Sequence, residues 1–253
     1  IVRGKSAKPV YLEIDNGDVH IRDASEIWGK DTQESQKALG KGGTMAIGVA
    51  GENLVKFASV VSQERMHGRT GMGAVMGSKN LKGMVARGSQ KVPLHKPDEF
   101  KQVIKSWIKM LQNHPATGDF APRYGTAGFL TSLSMRNALP TKNFTSGSYD
   151  DAYSIGGERL ADEFLVKNYG CQSCPIRCGR VVKINDEDVK GPEYEILCLL
   201  GSNMMISDME AIIRWNYQLD LLGMDAITVG TLMGFAAELN EKGIWDCGIE
   251  FGK

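Results

Sequence analysis

The sequence lacks any uninterrupted apolar run near the roughly 20 residues that span a bilayer, and it lacks a signal-peptide pattern. It also lacks an excess of charge of either sign, because 30 basic residues balance 30 acidic ones. A neutral chain has no overall field that attracts nucleic acid or an acidic membrane surface. These absences predict a cytoplasmic protein that binds neither nucleic acid nor a membrane.

Cysteine and histidine are scarce. The four histidines show no ligand spacing, so none of them is assigned a role. The five cysteines are an odd number, and three of them lie within eight residues. This distribution favours a reducing compartment and metal ligation over disulfide bonds.

The chain begins at Ile1 without an initiator methionine and ends at Lys253, shortly after a helix-like segment. Its 253 residues are enough for one large domain or two ordinary ones. We therefore expect an internal piece of a longer protein.

The clustered cysteines Cys171, Cys174 and Cys178 form a C-x2-C-x3-C motif. This spacing places three thiolates on one tight turn, where they can bind three irons of a cubane cluster while a fourth cysteine comes from elsewhere. A structural zinc site needs a second C-x2-C or a pair of histidines, and neither follows. The motif favours an iron–sulfur cluster, with zinc and unconnected thiols as the alternatives.

Residues 1–92 are predicted to be β-rich, and residues 93–253 to be α-helical. Asn16-Gly17 is the turn dipeptide of a hairpin between strands at 10–14 and 19–22. A short helix at 33–39 and strands at 45–49, 57–61 and 83–87 complete the first part.

In the second part, Pro97 opens a helix whose apolar stripe, from Phe100 to Leu111, is predicted to pack in the core. A loop-rich region (114–153) and a helix (160–169) come next. A capping box at Ser207 predicts a helix to Leu222, and Gly223 separates it from a last helix that ends near residue 242.

A glycine-rich stretch, residues 68–80, resembles phosphate-binding loops but matches neither the dinucleotide fingerprint nor the P-loop. Its glycines would leave backbone amides uncovered, and Arg69, Lys79 and Lys82 add positive charge. Such a loop suits an anionic ligand with phosphates. A tight turn with solvated lysines is the alternative.

Two carboxylates flank the predicted bend at Gly223. Asp220 and Asp225 could accept hydrogen bonds from a ligand rich in N–H donors, such as an aminopyrimidinone ring. The alternative is that Asp225 caps the following helix while Asp220 is solvated.

Tyr194 and Glu195 follow a predicted turn at Lys190-Gly191. A phenol beside a carboxylate can serve as an acid–base pair if both enter a cleft. A surface turn is the alternative reading of these residues. Cys198, in an apolar run, is predicted to be a buried thiol.

Together these motifs resemble one family, the tungsten- or molybdenum-dependent aldehyde ferredoxin oxidoreductases. The matching segments, in the family's order, are Gly68-Arg-Thr-Gly-Met-Gly-Ala-Val-Met-Gly-Ser-Lys-Asn-Leu-Lys82, the cysteine motif, Gly191-Pro-Glu-Tyr-Glu195 with Gly201-Ser-Asn203, and Asp220-x2-Gly-Met-Asp225. The resemblance implies an α+β fold: the end of an N-terminal β-rich pterin-binding domain (1–92), then the first of two α-helical domains (93–253), truncated here and carrying the iron–sulfur motif.

The resemblance also implies residue roles. Cys171, Cys174 and Cys178 resemble three of the four ligands of a [4Fe–4S] cluster. Six residues resemble the positions at which the family binds a tungsten (or molybdenum) bis-pterin: Arg69, Thr70, Asp220, Gly223, Met224 and Asp225. Of these, Met224 replaces the family's usual leucine. Glu195 resembles the active-site glutamate, with Tyr194 beside it.

The implied function is oxidation of small aldehydes to carboxylic acids, with electrons passing through the cluster to ferredoxin or another electron carrier. Such an enzyme can be a homo-oligomer. The family's fourth cluster cysteine and a catalytic histidine lie in a later domain, which we expect beyond residue 253, so the isolated piece is expected to be inactive. The alternatives are a related enzyme acting on another substrate, such as one that reduces aromatic thioesters, a non-catalytic electron-transfer protein, and a zinc-stabilised binding module.

Overall fold

The computed structural model describes all 253 residues, which divide into two units. The first unit comprises Ile1–Val92 and Gln218–Thr228, and the second comprises Pro93–Tyr217 and Val229–Lys253. None of the helices combines the length and apolar character that crossing a membrane requires.

A six-stranded mixed sheet forms the frame of the first unit. Its strands are β1 (Val10–Asp15), β2 (Asp18–Asp23), β3 (Gly43–Ile47), β4 (Val60–Ser62), β5 (Arg65–His67) and β6 (Leu81–Arg87). They are ordered β2-β1-β6-β3-β4-β5, and β1 is parallel to β6 while the other neighbours are antiparallel. The predicted hairpin is confirmed, because Asn16 and Gly17 both have the positive φ that its turn requires.

Helices cover both faces of this sheet. They are α1 (Thr32–Leu39), α2 (Val49–Glu52) and α3 (Met72–Ser78). Neighbouring residues of β3 point to opposite faces, so Ala46 packs with Leu39 of α1, and Ile47 packs with Met76 of α3. The predicted helix at 33–39 is therefore confirmed as α1.

The glycine-rich stretch is only partly the loop that its composition suggested. From Met72 onward it forms α3, and its glycines allow that helix to lie directly on neighbouring backbone. A Cβ at Gly73 would be 2.8 Å from the carbonyl carbon of Ala58, and one at Gly77 would be 2.7 Å from that of Gly51. Gly73 and Gly77 are therefore explained by close packing of α3 on neighbouring backbone. The prediction of a loop did not anticipate this packing.

We expect Gly77→Ala to lower the free energy of unfolding by about 3 kcal/mol, because the added methyl overlaps main-chain atoms that cannot move aside as a side chain would. Gly43→Ala is the matched control, since the nearest atom to its new methyl, the oxygen of Ala86, is 3.8 Å away. Thermal unfolding of both variants checks this. Equal midpoints would show that α3 shifts freely.

The second unit begins with a long helix and a series of short helical turns. These are α4 (Pro97–Asn113), a π-helix (Pro115–Phe120), α5 (Ala121–Tyr124), a 3-10 helix (Thr126–Gly128), α6 (Phe129–Met135), a 3-10 helix (Ala152–Ile155), α7 (Gly157–Arg159) and a π-helix (Leu160–Phe164). The loop-rich character predicted for 114–153 is confirmed.

The rest of the second unit contains a small sheet and the last helices. These elements are β7 (Leu165–Tyr169), β8 (Gly179–Ile184), β9 (Glu187–Lys190), α8 (Tyr194–Leu200), a 3-10 helix (Ser202–Met204), α9 (Met209–Leu222) and α10 (Ala226–Glu241), the last two crossing into the segment 218–228 of the first unit. The core includes Leu130, Ile155, Leu197, Ile212 and Ile213, all fully buried.

Three details of the second unit differ from the sequence-based expectations. The segment predicted as a helix at 160–169 becomes a strand from Leu165, because it pairs with β8, so the second unit also contains a three-stranded sheet. Asp208 caps α9 in place of Ser207, since its Oδ1 accepts the Ala211 N–H at 3.1 Å. The third difference concerns α4.

Helix α4 forms as predicted, but its apolar stripe does not pack in a core. None of its residues is buried, and Trp107 is 54% exposed. The periodicity predicted the helix correctly because it reflects one apolar face, but periodicity does not determine what covers that face.

Candidate cofactor sites

In the first unit, the segments around Arg69 and Gly223 lie together although about 150 residues separate them in sequence. The Nε of Arg69 is 3.8 Å from Oδ2 of Asp225. The side chain of Arg69 is 70% exposed while that of Asp225 is 4% exposed, so the pair connects the interior of the unit to its surface. The structure thus brings two of the predicted pterin-binding segments into one place.

The backbone at Thr70 is held in an unusual conformation. Thr70 has φ of 76° and the next residue, Gly71, has φ of 71°. A β-branched residue in the left-handed region costs about 1–3 kcal/mol, and such outliers cluster at functional sites. This strain supports a ligand-binding role for the Arg69-Thr70 turn.

The bend between α9 and α10 lies within the first unit and is held there by backbone contacts. Gly223 has φ of 71°, its carbonyl accepts the Ser59 N–H at 2.7 Å, and the backbone of Met224 bridges to Ala58. A Cβ at Gly48 would be 2.9 Å from the Gly223 nitrogen, so only glycine fits opposite the bend. The predicted helix stop at Gly223 is confirmed.

The two aspartates of the bend differ in their surroundings. Asp225 caps α10, because its Oδ1 accepts the Ile227 N–H at 3.2 Å and its Oδ2 accepts the hydroxyl of Thr228. The capping alternative for Asp225 is therefore confirmed. Asp220 is half-buried, and its carbonyl accepts the hydroxyl of Thr32 at 2.8 Å.

Of the three cations predicted near the glycine-rich stretch, Arg69 alone is largely exposed. Lys82 is 0% exposed and pairs with Glu52 and with the carbonyl of Lys30, and burial lowers the pKa of its ammonium. Lys79 donates to the carbonyl of Gly4. Lys82 is therefore not available to an anionic ligand as predicted, and it is not a solvated lysine either, because β6 carries it into the interior.

In the second unit, the cysteine motif occupies the connection between β7 and β8. Tyr169 pairs with Gly179 at the base of this loop, and the Cys174 N–H donates to the carbonyl of Cys171 at 3.0 Å. Cys171 is exposed, Cys174 and Cys178 are half-buried, and all three are free thiols. The predicted tight turn is present.

Within this loop the three thiols do not converge. No group of three or more metal-ligating side chains in the structure is arranged around the position of one ion. In a cubane cluster each cysteine binds a different iron, so its ligands remain apart. Three free thiols on a short loop therefore suit a cluster by their chemistry.

A buried arginine that the sequence analysis missed lies beside the cysteine loop. Arg180 donates to Asn168 Oδ1 at 3.0 Å, to the Gly179 carbonyl at 3.2 Å and to the Ala121 carbonyl at 2.9 Å. Its Nε is buried and has no acceptor. Burial lowers the pKa of Arg180, and the charge of Cys178 opposes this effect. An unsatisfied donor and a positive charge at this point suit an anionic, thiolate-bound cluster.

The β8–β9 hairpin returns the chain from the cysteine loop to Glu195. The N–H of Gly191 donates to the carbonyl of Arg180 at 2.9 Å, and α8 begins three residues later. Glu195 lies exposed in the first turn of α8, where the helix dipole favours a carboxylate.

Tyr194 and Glu195 are the first two residues of α8. Tyr194 is half-buried, and burial raises the pKa of its phenol. The neighbouring carboxylate of Glu195 also raises that pKa, so the two side chains act on each other electrostatically. Their role as an acid–base pair stays a prediction.

Cys198 is buried as predicted, and its burial raises the pKa of the thiol to about 11. At pH 8 about 0.1% of such a thiol is ionised, against about a quarter for an ordinary cysteine. We expect iodoacetamide to alkylate Cys198 at least 100-fold more slowly than Cys171 in metal-free protein, with a tenfold increase per pH unit up to pH 10. Mass spectrometry of timed samples measures both rates. Equal rates would disprove the assigned burial.

Comparison with known proteins matches both parts of the chain. Residues 1–88 match the family described as aldehyde ferredoxin oxidoreductase, N-terminal domain, and residues 102–253 match aldehyde ferredoxin oxidoreductase, domains 2 and 3.

Individual relatives agree with these matches. The chain is 43% identical to the tungsten-containing aldehyde ferredoxin oxidoreductase of Thermococcus kodakarensis and 42% identical to that of Pyrococcus furiosus, in each case over 96% of this chain and 42% of the relative. A solved active-site complex of benzoyl coenzyme A reductase with 1,5-dienoyl-CoA superimposes with a TM-score of 0.78 at 28% identity, over 96% of this chain and 40% of that one. The chain thus spans about two fifths of the length of these proteins.

Proposed function

Because this chain belongs to the aldehyde ferredoxin oxidoreductase family, we propose that the protein oxidises an aldehyde to a carboxylic acid and delivers the electrons to ferredoxin. The observation that carries this proposal is the β8–β9 hairpin, which joins a three-cysteine loop to a helix whose second residue is an exposed glutamate. One hairpin thus links a candidate redox group to a candidate proton acceptor.

The cofactor assignments follow from the same residues. Cys171, Cys174 and Cys178 would hold three irons of a [4Fe–4S] cluster, and a fourth cysteine from elsewhere in the full-length protein would hold the last. The pterin-binding positions are Arg69, Thr70, Asp220, Gly223, Met224 and Asp225. When bound at these residues, a tungsten (or molybdenum) bis-pterin would supply two-electron redox chemistry, and the cluster would supply one-electron transfer.

The proposed pterin-binding residues would contribute to binding in different ways. The exposed guanidinium of Arg69 suits a phosphate or a ring carbonyl, and the half-buried Asp220 suits ring N–H donors. Asp225 holds Arg69 and caps α10, so it acts through its neighbours.

Glu195 is the proposed general base. Oxidation of an aldehyde by water releases two protons and two electrons, and the Glu195 carboxylate accepts a proton as water adds to the carbonyl carbon. Tyr194 is half-buried beside Glu195, and its phenol can donate a hydrogen bond to the developing oxyanion.

Reduction of an aromatic thioester is the second candidate, because the benzoyl coenzyme A reductase complex covers nearly the whole chain. The test uses full-length protein purified without oxygen. Metal analysis comes first, followed by ferredoxin reduction with a panel of aldehydes and with 1,5-dienoyl-CoA.

About four irons per chain, with tungsten or molybdenum and aldehyde-dependent ferredoxin reduction, would support the first candidate. Turnover with dienoyl-CoA alone would establish the second. Iron without the heavier metal would indicate an electron-transfer protein, and zinc alone would overturn the assignment of the three cysteines.

A further inference from the structure

Arg180 is a buried cation without an acidic partner. It is 3% exposed, and the three atoms that accept its hydrogen bonds are neutral oxygens from Asn168, Gly179 and Ala121. A buried charge without a counter-charge costs several kcal/mol, so proteins rarely retain one without a function. Cys178, one of the three cysteines of the loop, lies two residues before Arg180 in the sequence.

Arg180 and Cys178 border the same small space. A Cβ placed on Gly125 would lie 2.8 Å from the carbonyl oxygen of Cys178 and 3.2 Å from Nη2 of Arg180. Gly125 therefore adds no side chain to this space. The Nε of Arg180 is also a buried donor without an acceptor.

We propose that Arg180 is a positioning residue that raises the reduction potential of the iron–sulfur cluster held by the Cys171–Cys178 loop. A fixed positive charge favours the reduced cluster, which carries one more negative charge than the oxidised form, and burial limits the screening of this charge by solvent and salt. This proposal rests on the proposed function, because it requires an iron–sulfur cluster bound by Cys171, Cys174 and Cys178.

The test compares three variants of the cluster-loaded protein by redox titration followed by electron paramagnetic resonance. In Arg180→Met we expect the ratio of oxidised to reduced cluster at a fixed potential to rise at least tenfold, which corresponds to about 59 mV for one electron. Arg180→Lys retains the charge but loses the forked hydrogen bonds, so its ratio should stay near that of the wild type.

Arg177→Met is the matched control, because Arg177 is exposed and immediately precedes Cys178. Solvent screens its charge, so its removal should leave the ratio unchanged. A wild-type ratio in Arg180→Met, or an equal shift in Arg177→Met, would overturn the proposal.

If Arg180→Met does not fold, Arg180→Lys tests the proposal alone. A wild-type ratio of oxidised to reduced cluster in Arg180→Lys supports the role of the charge. A tenfold shift of that ratio overturns it and shows that the hydrogen-bonding geometry of arginine matters instead. Absence of a cluster from the wild-type protein would be a failure of the proposed function, which iron analysis detects separately.

Discussion

Glu195→Gln is expected to lower kcat for aldehyde oxidation by about 10²–10⁴-fold, because glutamine has the shape of glutamate but cannot accept the proton. Glu195 lies exposed at the first turn of α8, outside the buried core of the second unit. Folding and metal content should therefore be unchanged, so that the loss falls on the chemical step.

Steady-state rates normalised to tungsten and iron content measure this effect. Glu187→Gln is the control, since Glu187 is an exposed carboxylate on β9 of the same unit, outside the proposed site. Ordinary turnover in a fully loaded Glu195→Gln enzyme would remove Glu195 from the mechanism. A loss matched by a loss of metal would assign it a binding role.

Cys174→Ser is expected to eliminate the iron–sulfur cluster, because a serine hydroxyl is a far poorer ligand for iron than a thiolate. Iron should fall from about four per chain to below one, and electron transfer to ferredoxin should stop. Cys174 is the central cysteine of the loop, so its loss leaves two ligands that are seven residues apart.

Iron analysis and the visible spectrum of anaerobically purified protein measure the loss. Cys247→Ser is the control, since Cys247 donates to the carbonyl of Ala236 at the end of α10 and lies outside the motif. Full iron content in Cys174→Ser would contradict the ligand assignment. Loss of iron in Cys247→Ser would instead identify a further ligand within this chain.

Features determined by neighbouring residues could be predicted from the sequence. The hairpin at Asn16-Gly17 and the helix stop at Gly223 both depend on a positive φ that the local residues supply. The turn formed by the cysteine motif is likewise local. In each case a few adjacent residues determine the conformation.

Features determined by distant segments could not be predicted. The strand at β7 exists because β8 pairs with it, and Lys82 is buried because β6 lies in the middle of the sheet beside Glu52. Arg180 looked like an ordinary basic residue, since its burial depends on β7, α5 and the loop together.

The candidate cofactor sites likewise combine features that local sequence predicts with features that depend on distant segments. The residue types at Arg69, Asp225 and the three cysteines were visible in the motifs, but their partners were not. Burial of the Tyr194 phenol next to an exposed Glu195 could not be predicted either, because it depends on the segments that pack against α8.

The exposure of α4 also determines how this chain unfolds locally. Because none of its residues is buried, the helix depends on its own backbone hydrogen bonds and on surface pairs such as Lys96 with Glu99. A 17-residue helix with so little tertiary support is marginal in water. Its amides should therefore exchange with solvent well before those of α8, and Lys101, Lys105 and Lys109 make it the segment that trypsin cuts first.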